Sequence, residues 1–178
     1  MELLSVKNLE TRFTTRKGTV TAVAGVSFGV GKGEILGIVG ESGCGKSVTS
    51  LSIMGLLPSS GTLAPGSSIA LEGQELTALS EGQMCKMRGN RIAMIFQDPM
   101  TSLNPVMTIG RQMMEPLMIH QGMDRAAAAR HAVSMLEKVG IAAPERRMRE
   151  YPHQFSGGMR QRIMIAMALS CNPALLIA

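Results

Sequence analysis

A chain of 178 residues with 45% hydrophobic and 17% charged side chains has the composition of a folded globular protein, which excludes a disordered one. No apolar run approaches the ~18 residues of a membrane-spanning helix, and the opening MELLSVKNLE is acidic where a secretion signal is basic, so the expected location is cytoplasmic. A net charge of +5 admits an anionic membrane surface or a phosphorylated ligand; with one Tyr, four Phe and no Trp the stacking platforms of single-strand binders are nearly absent, and no nucleic acid is expected.

Alternation and β-branched content predict strands over residues 3–9 and 21–30, joined through the RKGT turn at 16–19. EILGIV at 34–39 reads as a short, wholly apolar strand buried on both faces. Residues 46–57 read as a helix whose Val48, Leu51, Met54 and Leu57 form one apolar stripe, with Pro58 ending it. A loop, the short strand IALEG and a short helix in LSEGQMCKMRGN follow, and RIAMIF at 91–96 reads as a second buried strand.

Beyond Gln97 the chain turns helical and rich in Met. Helices are expected near 108–120 and over 125–139, the second capped by Asp124 and stopped by Gly140. A helix over 158–170 leads through the CNP turn into ALLIA, a third buried strand. The length suits one domain, an incomplete one for an α/β enzyme.

GESGCGKS at 40–47 fits GxxxxGK[ST], the P-loop pattern, whose glycines let successive backbone N–H groups turn inward on phosphate oxygens. A side chain at Gly40 or Gly45 would obstruct that wrap, Lys46 adds charge for the β and γ phosphates, and the Ser47 hydroxyl suits Mg²⁺. A plain glycine-rich turn is the bland alternative; four fixed positions recur by chance in about one chain per hundred of this length, and a strand before with a helix after makes chance rarer still. QFSGGMRQR at 154–162 places Ser156, Gly157 and Gly158 at a helix start, a second phosphate-sized site or an ordinary serine N-cap.

GESGCGKS, Gln97 in IFQDP and FSGGMRQR together resemble the nucleotide-binding domain of ABC transporters, over essentially the whole chain. FQDPMTSLNP and YPHQFSGGMRQRIMIAMAL resemble more narrowly the ATPase subunits of dipeptide, oligopeptide, nickel and glutathione importers. The resemblance implies an α/β fold: a P-loop NTPase (RecA-like) core with an N-terminal antiparallel β subdomain and an inserted α-helical subdomain, incomplete at the C-terminus. It divides the chain into 1–97 (β subdomain and P-loop core), 98–157 (helical subdomain with the signature) and 158–178 (return to the core).

The same resemblance implies ATP and Mg²⁺ as cofactors. Gly40, Glu41, Ser42, Gly43, Cys44, Gly45, Lys46, Ser47 and Val48 would hold the nucleotide, with Lys46 and Gln97 catalytic and Ser47 and Gln97 facing Mg²⁺. Ser156, Gly157 and Gly158 would grip the γ-phosphate of a partner's ATP, and Phe13 lies about where the family stacks an aromatic on adenine. Implied partners are two transmembrane permease subunits, a second ATP-binding subunit, identical or not, and indirectly a substrate-binding protein. The implied location is peripheral, on the cytoplasmic face of the inner membrane.

Two departures stand out. Met159 follows SGG where the usual signature has Gln, as it commonly does in the peptide-importer branch. The Asp and Glu expected after the Walker B strand ALLIA, and the switch-loop His, are absent, so the 178-residue chain alone is expected to be inactive. The leading expectation is the ATP-hydrolysing subunit of an importer of peptides or a related solute. The alternatives are a non-hydrolysing nucleotide-binding module and a soluble P-loop kinase or GTPase, the last of which leaves Gln97 and SGGMRQR unexplained.

Other residues invite weaker readings. His120, His131 and His153 have no ligand-spaced partners and read as surface or local hydrogen-bonding groups. Met107, Met113, Met114, Met118 and Met123 fill a core or present an adaptable surface to a partner helix. RRMR at 146–149 reads as a solvated charged face. Cys44, Cys85 and Cys171 form no CxxC pair and suit neither zinc nor a disulfide framework.

Overall fold

The computed structural model describes residues 2–97 and 102–178. The chain separates into two compact units, 1–85 and 86–178.

The first unit is an antiparallel sheet of β1 (Glu2–Thr15), β2 (Gly18–Gly31), β3 (Gly61–Leu63), β4 (Ser68–Leu71) and β5 (Gln74–Glu75). β1 is central, with β2 along one side and β3 and β4 along the other. β1 runs well past residue 9, where the sequence pattern breaks, because a register shift lies between Val6 and Leu9. Asn8 there takes φ 47°, a conformation Asn tolerates, and the extra residue resets the alternation so that Leu4 and Val6 before it, and Leu9 and Thr11 after it, are all buried.

Helix α1 (Lys46–Met54) is stopped by Gly55, not by Pro58: Gly55 adopts φ 61° and its N–H closes the helix end. The predicted apolar stripe is also corrected. α1 buries Thr49, Ser52, Ile53 and Met54, while Val48, Leu51 and Leu57 are half-buried. The hydroxyls of Thr11 and Ser52, 2.9 Å apart and both buried, satisfy each other, which lets a polar face serve where periodicity calls for an apolar one.

Residues 34–39 are a second correction. They form no strand, and Ile35 is 97% and Val39 93% exposed. An apolar strand of this kind needs a ladder partner on each side and a layer on each face, and among the described residues none pairs with it.

Helix α2 (Glu81–Met87) spans the boundary between the units. The second unit holds the parallel pair β6 (Ile92–Met94) and β7 (Leu175–Ile177) and the helices α3 (Ile109–Gln121), α4 (Arg125–Lys138), α5 (Pro144–Arg147) and α6 (Gly157–Leu169). Thr108 caps α3 and Asp124 caps α4, each accepting from a backbone N–H three residues on. The core joins Ile109, Met113 and Leu117 of α3 to Ala128, Ala132 and Leu136 of α4 and Ile163 and Ala166 of α6, all at 0% exposure. Among the described residues no helix is long and apolar enough to cross a membrane.

Candidate functional site

The loop 40–47 is shaped by glycine and closed by lysine. Gly43 and Gly45 take φ 82° and 96°, and a Cβ on Gly45 would stand 2.6 Å from the Ala22 carbonyl oxygen of β2, so glycine is required there on both counts. At Gly40 a Cβ would meet only the Cys44 thiol, a side chain able to turn away, so its demand for glycine is the weaker one.

Gly45 is the N-cap of α1 and offers no side chain to cap it, so the first N–H groups of α1, those of Lys46, Ser47 and Val48, receive no side-chain acceptor among the described residues. The Lys46 ammonium folds back across the loop and donates to the Gly40 and Glu41 carbonyls at 2.6 and 2.7 Å. Uncapped amides at a positive helix end, a lysine held over them and the exposed Ser47 hydroxyl are a donor set that fits a polyphosphate. Glu41, Ser42 and Cys44 are exposed on the loop, and Val48 is half-buried in the first turn.

Ser156 is the N-cap of α6, its hydroxyl accepting from Met159 N–H at 3.4 Å. Within the chain Ser156 thus has the geometry of an N-cap. Gly157 and Gly158 differ: neither has positive φ, and a Cβ on either would meet nothing within 4 Å. Glycine here disfavours the helix by roughly 0.5–1 kcal/mol relative to alanine, and no neighbour among the described residues demands it.

Gln97 is exposed, three residues beyond β6 and in the second unit with Ser156. Asp98, which opens the predicted helical segment, lies outside the described residues. Phe13 lies on β1 opposite Val20 and Gly61, half-buried, with its ring edge against Gly61. The loop 40–47 belongs, with Phe13, to the first unit. Among the described residues no group of three or more His, Cys, Asp or Glu gathers to hold a metal ion.

Residues 23–178 match the family described as ABC transporter. The chain belongs to that family. This ABC transporter chain is 56% identical over 176 residues to the oligopeptide transport ATP-binding protein AppD of Bacillus subtilis (strain 168), an alignment covering 99% of the chain and 54% of the relative. It is 53% identical to the oligopeptide transport ATP-binding protein OppD of Escherichia coli (strain K12), over 99% of the chain and 52% of the relative. The chain thus spans about half the length of the curated relatives it matches. A solved structure, the dimeric post-hydrolysis state of the ATP-binding cassette MJ0796 bound to ADP and Pi, matches with TM-score 0.84 and 25% identity over 97% of this chain and 72% of that one. The fold is that of an ABC ATPase cassette, a P-loop NTPase of mixed α/β content.

Sequence reasoning missed Gln112, buried on α3, and Gly110 beside it. Neither belongs to a recognisable motif, and a lone Gln in an amphipathic helix carries no signal of its own. RRMR at 146–149 is a solvated face in part: Arg146 and Arg149 are exposed, and Arg147 is the exception. Arg147 pairs with Glu150 at 2.6 Å and lies over the Phe155 ring at 5.4 Å, because Phe155 is buried beneath it. The methionines divide by face: Met113 is fully buried, Met114 and Met123 pack on the core, and Met118 is exposed.

Proposed function

We propose that the chain is the ATP-binding part of an ABC importer subunit that couples ATP binding and hydrolysis to uptake of peptides or a related small solute such as nickel or glutathione. The observation that carries this reading is the uncapped α1 N-terminus with Lys46 arched over it; the names of the relatives support the solute class.

Mg·ATP, when bound, supplies the phosphoryl group to be transferred to water. The amides at Lys46, Ser47 and Val48 hold phosphate oxygens, and Lys46 neutralises charge on the β and γ phosphates. Ser47 would hold Mg²⁺, and Gln97 is the second ligand this reading calls for; among the described residues no group of three or more His, Cys, Asp or Glu gathers to hold a metal ion. Gly157 and Gly158 leave open backbone at a positive helix end, which suits close approach by the γ-phosphate of ATP on a second subunit, and Phe13 stacks on adenine. Two such subunits, alike or not, face head to tail about a twofold axis.

The permease contact fits a cavity of about 830 Å³ between α3 and α4, with Met114, Met118 and Ile119 on its apolar part. Arg111, Arg125 and Arg149 border it against a single acid, Glu115, so an apolar permease segment carrying acidic residues is complementary. In this reading the protein lies against its permease, on the cytoplasmic face of the membrane.

The test is Mg·ATP titration and transport assay of the intact protein with its permease. Saturable binding that Lys46→Ala weakens, and uptake that Gly157→Asp abolishes by setting a carboxylate against phosphate, are expected. Unchanged ATP affinity in Lys46→Ala would overturn the reading.

A further inference from the structure

The amide of Gln112, 7% exposed near the start of α3, is bonded wholly to the loop that precedes the helix. Its Oε1 accepts from Asn104 N–H at 2.8 Å, and its Nε2 donates to the carbonyls of Asn104 at 3.0 Å and Met107 at 2.9 Å. An amide that accepts from and donates to the backbone of one residue imitates a ladder pair, so the loop is gripped like a paired strand. The Asn104 side chain adds a bond from Val106 N–H, and Leu103 is buried in the same core as α3. In sequence this loop follows Gln97 after residues 98–101, which lie outside the described residues.

The first turn of α3 is bonded in the other direction. Ile109 N–H donates to Glu150 O at 2.9 Å and Gly110 N–H to Met148 O at 2.8 Å. A Cβ on Gly110 would stand 2.6 Å from that same Met148 oxygen, so the approach requires glycine. From Glu150 the chain reaches Ser156 through a segment held at each step. Tyr151 N–H donates to Gln154 Oε1 at 2.8 Å, Arg160 Nε to Pro152 O at 2.8 Å, and Phe155 is buried.

We propose that Gln112 and Gly110 are positioning residues that hold the loop following Gln97 and the approach to Ser156 on the single frame of α3, so that the two respond as one body. The functional consequence rests on the roles given above to Gln97 and to Gly157 and Gly158, which follow Ser156; the bonds stand without them. A chain of contacts is not itself coupling, which must be read at one end when the other is disturbed.

The experiment uses the intact protein with its permease, comparing Gln112→Leu and Gly110→Ala with wild type by hydrogen exchange and steady-state ATP turnover. Gln112→Leu is expected to speed exchange about tenfold or more, both at 102–108 and at the remote 148–156, leaving 40–55 unchanged. It should lower kcat, counted per ATP-binding site titrated in the same sample, by a similar factor, again about tenfold, with KM for ATP unchanged; counting sites removes the fall in apparent kcat that loss of folded protein alone would cause. Gly110→Ala should give the same pattern from the other end, and the double variant should be no worse than either single one. Gln112→Asn, which keeps the amide one methylene shorter, supplies an intermediate measurement should the leucine variant not fold. Wild-type exchange at 148–156 in the Gln112 variants, or undiminished kcat, would overturn the proposal. Failure of the wild-type protein to bind ATP would instead remove the proposed function, while the exchange comparison would still decide whether the frame exists.

Discussion

The Lys46 ammonium lies 2.6 Å from the carbonyl oxygen of Gly40, so one side chain spans the two ends of the phosphate-binding loop. Among the described residues no carboxylate pairs with Lys46. Removing it with Lys46→Ala takes away charge-assisted contacts to phosphate worth on the order of 1.5–3 kcal/mol each, a weakening of at least about tenfold in ATP affinity. Calorimetric titration of Mg·ATP against the intact variant is the check, with circular dichroism confirming an unchanged fold.

Gly45 and Gly157 are glycines for different reasons, and alanine separates them. At Gly45 the left-handed backbone and the Ala22 carbonyl both oppose a Cβ, so Gly45→Ala should destabilise by about 1–3 kcal/mol. At Gly157 the φ is ordinary and the space open, so Gly157→Ala should leave the melting temperature unchanged or raise it, by up to about 1 kcal/mol in stability. Thermal unfolding of both variants is decisive: equal losses would refute the distinction.

Acid should act on the first unit through Glu75. Burial works to raise its carboxyl, but bonds from the Ser68 and Thr77 hydroxyls and the Ile69 and Thr77 N–H groups outweigh it and hold the pKa below the usual value. A group whose folded pKa is depressed contributes stability that is present above its unfolded pKa and lost as pH falls through the folded one. Melting temperatures between neutrality and the acid end of the carboxylate range should therefore fall less steeply in Glu75→Gln than in wild type; parallel slopes would count against the assignment.

The three thiols should react in a set order. Cys44 and Cys85 are exposed, whereas Cys171 is buried and desolvation pushes its thiol pKa up, against weaker opposing bonds from Ser170 and Gln121. Brief alkylation followed by peptide mass analysis should label Cys44 and Cys85 and spare Cys171. Mg·ATP should protect Cys44 alone, because its thiol stands 3.6 Å from the Lys46 ammonium inside the same loop; labelling of Cys44 unaffected by nucleotide would argue against phosphate there.

Features whose partners are neighbours along the chain were legible before any fold was known. The starts of α3 and α4 follow from Thr108 and Asp124, each capping an amide three residues away, and α1 begins at Lys46 because Gly45 reaches a left-handed turn at no steric cost. The loop 40–47 and the Ser156 cap were legible for the same reason: their groups meet across a few residues. Tertiary structure alone decided the rest. Thr11 is 41 residues from the Ser52 it satisfies, so no helical period could announce that α1 buries a hydroxyl face. Residues 34–39 have a strand's composition, but a strand exists only where distant backbone offers it a ladder, and none of the described backbone does. The joining of Gly110 to Met148 likewise depends on two segments far apart in the chain approaching closely enough to exclude a Cβ, a condition set by packing and written in no local pattern.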